Sequence, residues 1–182
     1  MAAIVGALPA EPTPLAEALG RVLAVDVVSS EDVPGWDNSA MDGFAVRAAD
    51  TAGAGADRPA RLELAGEARA GEPSATALGE GQAIRISTGA VVPEGADAVV
   101  RVEDTDKYAE GSSEGTENEV EIRVEVGRGN DIRRAGDDIR RGDTVLRAGA
   151  ELGPAELGVL ASVGIGSPHC ARRPTSRCAQ EA

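Results

Sequence analysis

Glu119-Val120-Glu121-Ile122-Arg123-Val124-Glu125-Val126 decides the fold class. Apolar side chains occupy every second position and charged ones fill the gaps, a period of two that only an extended chain can bury on one side. The stretch predicts a half-buried antiparallel strand with one face in water. Working back toward the N-terminus, Arg61 to Ala65, Ala83 to Ser87 and Asp97 to Glu103 read as further short strands, each bounded by Gly, Pro or Asp. Between the last of these and Glu119, Asp104 to Asn118 is rich in acid, Gly and Ser and predicts a long hairpin loop. The middle of the chain is therefore expected to be β-rich.

The flanks read as mixed structure. Thr13 is a suitable N-cap, Pro14 suits a first helical position and Glu17 lies in the first turn. Leu15, Leu19, Val22 and Leu23 then share a helical face, so a helix is expected there, followed by a strand on which Leu23, Val25 and Val27 alternate. Downstream, Asp143 to Arg147 predicts a strand and Gly149 a turn. Pro154 opens a helix with Leu157, Leu160 and Ala161 on one face, and Gly164 is placed to end it. From Gly166 to Ala182 no apolar period remains, and an irregular tail is expected.

The 182 residues include 18 basic and 31 acidic side chains, a formal charge of −13. So negative a surface repels phosphate backbones and anionic lipid, which argues against nucleic-acid and membrane binding. Lys107 is the single lysine, and the acidic, Arg- and Ala-rich balance suits either a salt-rich cytoplasm or a GC-rich genome. Aromatic residues are 2% of the chain, so the core must be built of Val, Leu, Ile and Ala. Cys170 and Cys178 match no zinc or redox spacing, and reduced thiols in a cytosolic protein are expected. The apolar start carries no basic leader, and no run is long enough to span a bilayer.

Three blocks concentrate turn-forming residues with oxygen ligands. The first is Trp36-Asp37-Asn38-Ser39-Ala40-Met41-Asp42-Gly43-Phe44-Ala45-Val46. The second runs Arg85-Ile86-Ser87-Thr88-Gly89-Ala90-Val91-Val92-Pro93-Glu94-Gly95-Ala96-Asp97-Ala98-Val99-Val100, with Glu103 beyond. The third is Asn130-Asp131-Ile132-Arg133-Arg134-Ala135-Gly136-Asp137-Asp138-Ile139. Singly, each has a structural explanation: Asp42-Gly43 and Gly136-Asp137-Asp138 are common turn sequences, and Ser87-Thr88-Gly89 is a common strand end. Asp131 beside Arg133 and Arg134 reads as a solvated surface pair, worth less than about 1 kcal/mol.

In this order, the blocks resemble the molybdopterin molybdenumtransferases, the family of MoeA and the gephyrin E domain. The likeness runs from about Pro14 to Ile165 and takes in Gly-Asp-Thr-Val-Leu and the Pro154 helix. The resemblance implies an enzyme of molybdenum cofactor biosynthesis, a transferase that inserts molybdate into molybdopterin, adenylylated in some members and assisted by Mg²⁺. It implies a cytoplasmic homodimer. It also implies a mixed α+β, mainly β fold, with an elongated dimerisation domain (1–42 plus 127–165) and an inserted β-rich domain (43–126). Residues 166–182 would form an irregular tail at the start of a missing pterin-binding α/β domain.

Carried over by motif, Asp42, Thr88 and Asp138 are the expected catalytic residues, and Ser39, Ser87 and Gly89 the expected substrate- or cofactor-binding ones. Asp42 and Asp138 are the expected Mg²⁺ ligands, since carboxylates suit hard cations. They can also relay protons. They cannot hold molybdate, because anions repel; an oxyanion needs guanidinium, hydroxyl or backbone N–H donors, of which Thr88 offers only part. The chain lacks the Ser/Thr-Gly-Asp-Glu-Leu motif with which relatives continue, so by itself it is expected to be inactive. The alternative reading is a non-catalytic dimerisation or scaffold module derived from the family.

Overall fold

A computed structural model describes residues 8–107 and 118–173. Among them are eleven short strands, three single 3-10 turns and one α-helix, a mainly β protein as expected. In chain order the strands are β1 (Ala10–Pro12), β2 (Val27–Val28), β3 (Asn38–Ser39), β4 (Gly43–Val46), β5 (Ala60–Ala68) and β6 (Gln82–Ile86). They continue with β7 (Ala98–Arg101), β8 (Glu119–Ile122), β9 (Ile132–Arg133), β10 (Thr144–Leu146) and β11 (His169–Ala171). The helix, α1, spans Pro154–Ser162.

Contacts divide the chain into two units, residues 34–137 and the flanks on either side of them. The division falls at Val33/Pro34 and Asp137/Asp138 rather than after Asp42 and Val126. The reason is pairing: β3 and β9 are antiparallel partners, Asn38 to Arg133 and Ser39 to Ile132. The Val99 N–H also donates to the Asn130 carbonyl. Both segments are thereby tied to the sheet.

That sheet has five strands in the order β7-β4-β6-β5-β8. All of its pairs are antiparallel except β5 with β6, which run parallel across a bulge between Leu64 and Gly66. Strands β4 and β7 are buried on both faces. Phe44, Val46, Ala98 and Val100 join Leu62, Val120 and Ile122 in one cluster, while Ala45, Ile84, Ile86 and Val99 join Ala68 and Leu78 in the other. Two covered faces explain why Ala98-Val99-Val100 on the edge strand β7 is a continuous apolar run, whereas β8 at the opposite edge alternates. On β8, Val120 and Ile122 are fully buried, and Glu121 pairs at 2.9 Å with Arg61, its cross-strand neighbour. The expected loop between Asp104 and Asn118 lies mostly outside the described residues.

The flanking unit is built from smaller pieces. β1 pairs with β11 and β2 with β10, both antiparallel. Ala18, Leu23, Val27, Leu152, Leu160, Val163 and Cys170 form its buried cluster. The helix expected from Thr13 onward is not there; only Leu15–Glu17 makes a 3-10 turn. Long-range bonds replace helical ones, with Thr13 N–H donating to the Pro168 carbonyl, Leu15 N–H to Gly166 and Leu23 N–H to Ala150. Leu19, Val22 and Val25 are exposed, so neither the helical face nor the alternating strand survives. The irregular tail is corrected too, because His169–Ala171 is a strand and Cys170 is a buried free thiol.

The Pro154 helix does form, with Pro at its start and the Gly153 N–H donating to Glu156 Oε2 at 3.0 Å. Leu160 is its buried residue, while Ala161 faces water. Gly164 follows at φ +75°, the left-handed conformation that glycine adopts without a Cβ clash.

Candidate functional site

The first two sequence blocks meet at one end of the five-stranded sheet. Residues 38–42 enter the central strand β4, and residues 87–89 leave its neighbour β6. The two loops are sewn together by backbone bonds: Ser39 N–H to the Ala90 carbonyl at 3.0 Å and Gly89 N–H to the Ser39 carbonyl at 2.8 Å. Ser39 is buried, and its hydroxyl donates to the Met41 carbonyl at 2.6 Å while accepting the Met41 N–H. Ser39 and Gly89 thus shape the loop that carries Asp42. At Gly43 a Cβ would run into the Val100 backbone carbonyl on β7, so the tight passage after Asp42 requires glycine.

The Asp42 side chain is exposed, and one oxygen, Oδ1, accepts both the Thr88 N–H at 2.7 Å and the Thr88 hydroxyl at 3.1 Å. Asp42 also lines a depression of about 250 Å³ together with Gly43, Phe44, Arg85, Ser87 and Val102. The structure therefore brings Asp42, Thr88, Ser87, Ser39 and Gly89 into one neighbourhood. Chemically, it presents a carboxylate with one oxygen fixed, two hydroxyls and a guanidinium.

The third block supports this loop from behind. Asp131 sits at φ +48°, the left-handed region that few non-glycine residues adopt. Its carbonyl accepts the Ala40 N–H at 2.8 Å. Its carboxylate takes Arg101 Nε at 2.9 Å and a second guanidinium N–H at 3.1 Å. This bidentate hydrogen bond, with the attraction between the two charges, raises the Arg101 pKa. Asp131 is thus a clamp for Arg101, rather than a surface partner of Arg134. Arg134 instead binds Asp37 at 2.5 Å, and the Ala135 N–H donates to Asp37 at 2.9 Å. The Ala135 N–H first, and then Arg134, hold the Asp37 carboxyl below its ordinary pKa.

Asp138 belongs to the other unit. Its N–H donates to the Val33 carbonyl at 3.0 Å, and it lines a depression of about 540 Å³ with Asp143, Thr144 and Arg147. Among the described residues no three His, Cys, Asp or Glu are grouped as metal ligands. No described helix is long and apolar enough to cross a membrane. Sequence reading did not single out Arg85 and Asp131. Arg85 had a usable signal, a lone charge between Ile84 and Ile86 directly before Ser87-Thr88-Gly89. The role of Asp131 depends on Arg101, 30 residues away, and left no local trace.

Comparison with known proteins gives a consistent answer. A molybdopterin molybdenumtransferase of Synechococcus elongatus is 42% identical over 157 residues, covering 86% of this chain and 37% of that protein. Molybdopterin molybdenumtransferase 2 of Mycobacterium tuberculosis is 45% identical over 152 residues, covering 84% and 36%. The crystal structure of the molybdopterin biosynthesis moeA protein from Pyrococcus horikoshii superposes with a TM-score of 0.82 at 35% identity, covering 91% of this chain and 42% of that one. The chain thus spans little more than a third of the length of these curated relatives. The family model described as MoeA N-terminal region (domain I and II) matches residues 1–164, and the chain belongs to that family.

Proposed function

We propose that this chain supplies the Asp42–Thr88 portion of a site that inserts molybdate into molybdopterin or its adenylylated form, within molybdenum cofactor biosynthesis. The observation that carries the reading is the Asp42 carboxylate, held through one oxygen by both the N–H and the hydroxyl of Thr88. Insertion replaces oxo groups of the oxyanion by dithiolene sulfurs, and each departing oxygen must gain protons to leave as water. A carboxylate with one oxygen anchored and the other free is suited to pass those protons. The Thr88 hydroxyl, bonded to it, fixes its orientation.

Asp138, matched to the same family by motif, is the second carboxylate of this proposal. Mg²⁺ enters it only as an ion shared with substrate phosphates. Such ions keep several waters and need only one or two carboxylates. A cytoplasmic homodimer completes the reading, and the exposed Leu19, Val22, Val25 and Val28 offer apolar surface for a second copy. Sedimentation should show self-association as concentration rises into the micromolar range.

The deciding experiment measures molybdate-dependent cofactor formation by the chain alone and by the chain fused ahead of the remaining length of a matched relative. The fusion is expected to be active and the chain alone inactive. Asp42→Asn or Thr88→Ala in the fusion should lower turnover by about 10²-fold or more, the scale of a lost acid–base group. Unchanged turnover in both variants would remove these residues from the chemistry.

A further inference from the structure

Among the donors able to face an oxyanion, one side chain has no part in the proposed chemistry. Arg85 lies on β6 between the buried Ile84 and Ile86, opposite Phe44 on β4 and Glu67 on β5. In the same unit Arg47, Arg61, Arg69, Arg101, Arg128 and Arg134 each hold a carboxylate. Arg85, like Arg58 and Arg123, has no carboxylate within ion-pair distance among the described residues. Glu67 opposite it is hydrogen-bonded to Arg69 at 2.8 Å, and Arg85 acts on Glu67 only through its charge, adding to the lowering of its pKa. Asp42, across the depression, has its Oδ1 occupied by Thr88. A guanidinium with no hydrogen-bonded carboxylate among the described residues therefore lines the same depression as Asp42 and Ser87.

We infer that Arg85 and Ser87 form the oxyanion-binding half of the Asp42–Thr88 site, taking a tetrahedral dianion that is either a phosphate group of the substrate or the oxometallate itself. This rests on the reading of Asp42 and Thr88 given above and supplies what it lacked. The planar guanidinium fork matches two oxygens of a tetrahedral anion, and the Ser87 hydroxyl can donate to a third. The Asp42 carboxylate faces the same anion, so the two halves divide the work: Arg85 and Ser87 hold charge, and Asp42 meets the oxygen that carries a proton.

The test uses the ¹⁵N-labelled chain, titrated with inorganic phosphate and separately with molybdate at constant ionic strength, while backbone N–H shifts are followed. Saturable shifts are expected at Gly43, Ser87 and Thr88. Arg85→Gln should weaken binding at least about tenfold with an unchanged melting temperature, since a charge-assisted bidentate contact is lost. Arg85→Lys should fall between the two, and Asp42→Asn should tighten binding by removing a repulsive charge. A response to phosphate alone assigns the site to a phosphate of the substrate, and a response to molybdate alone to the oxometallate. A response to both supports the shared class. Absence of saturable shifts with either anion, or equal affinity in Arg85→Gln, overturns the inference. Turnover lost in Asp42→Asn but unaffected in Arg85→Gln would leave the proposed function standing without it.

Discussion

The sheet of the 34–137 unit uses strands of four to nine residues in one five-stranded ladder, whereas the flanking unit pairs strands of two or three residues two at a time. In the ladder, burial follows the strand period, and each face collects its own cluster. In the flanking unit, the buried Ala18, Leu23, Val27, Leu152, Leu160, Val163 and Cys170 come from short separate segments with no common period. A repeating hydrogen-bond pattern imposes a repeating sequence pattern. A core assembled from single points of contact imposes none. The difference has a functional side as well, since the ladder gives Asp42, Thr88 and Arg85 a rigid base.

The largest effects should come from emptying the two cores. Ile84→Ala and Leu160→Ala should each cost about 2–5 kcal/mol by denaturant unfolding, because both side chains are fully enclosed. Their footprints should differ. Native-state hydrogen exchange should lose protection at Leu23 and Leu152 in the Leu160 variant while β4 and β6 keep theirs. Equal loss across both units would break the comparison, making them one cooperative block.

Next come the glycines. Gly43→Ala should cost about 1–3 kcal/mol, since the obstacle is the Val100 backbone and cannot swing aside. Gly164→Ala has open space around it and should cost about 1 kcal/mol through its positive φ alone. Thermal melts of the two variants check the order. The reverse order would mean that β7 shifts easily, and that the ladder is less rigid at the site than its bonds imply.

A smaller, pH-dependent effect is expected at Asp37. Its folded-state pKa is lowered, so its stabilisation is complete above the unfolded carboxylate value and is lost as pH falls through the folded one. The side chain is partly exposed, which keeps the contribution below about 1 kcal/mol. Asp37→Asn should therefore matter at neutral pH, begin to lose its effect as pH falls below about 4, and converge on wild type only below the lowered folded-state pKa. A constant difference down to pH 2 would assign its role to shape rather than charge.

The smallest stability changes should be at the two proposed catalytic carboxylates. Asp42→Asn and Asp138→Asn should each stay within about 0.5 kcal/mol of wild type, since amide oxygens accept the same turn bonds. Both should nonetheless remove turnover from the fused enzyme. A lowered melting temperature with normal turnover at Asp138 would return that residue to its turn and leave the site to the sheet unit.

The sequence by itself determined the sheet strands: the Glu119 alternation and the short runs at Arg61, Ala83 and Asp97 each became a strand of the ladder. It also determined the Pro154 helix, through a proline start and a glycine stop, and the family, through three ordered blocks. These signals are local, because a period or a turn is written within a few residues. What the tertiary structure decided was everything carried by distant pairing. Thr13 to Leu23 has the spacing of a helix, yet the N–H groups of Thr13, Leu15, Gly20 and Leu23 are taken by carbonyls of residues 150–168, and only a single 3-10 turn forms. The tail became β11 only because Ala10–Pro12 lay open to pair with it. The site followed the same rule. Its motif residues were visible in order, but the bond of Asp42 to Thr88, the clamp of Asp131 on Arg101 and the lack of a hydrogen-bonded carboxylate at Arg85 among the described residues arise from which strands are neighbours, and no local pattern encodes that.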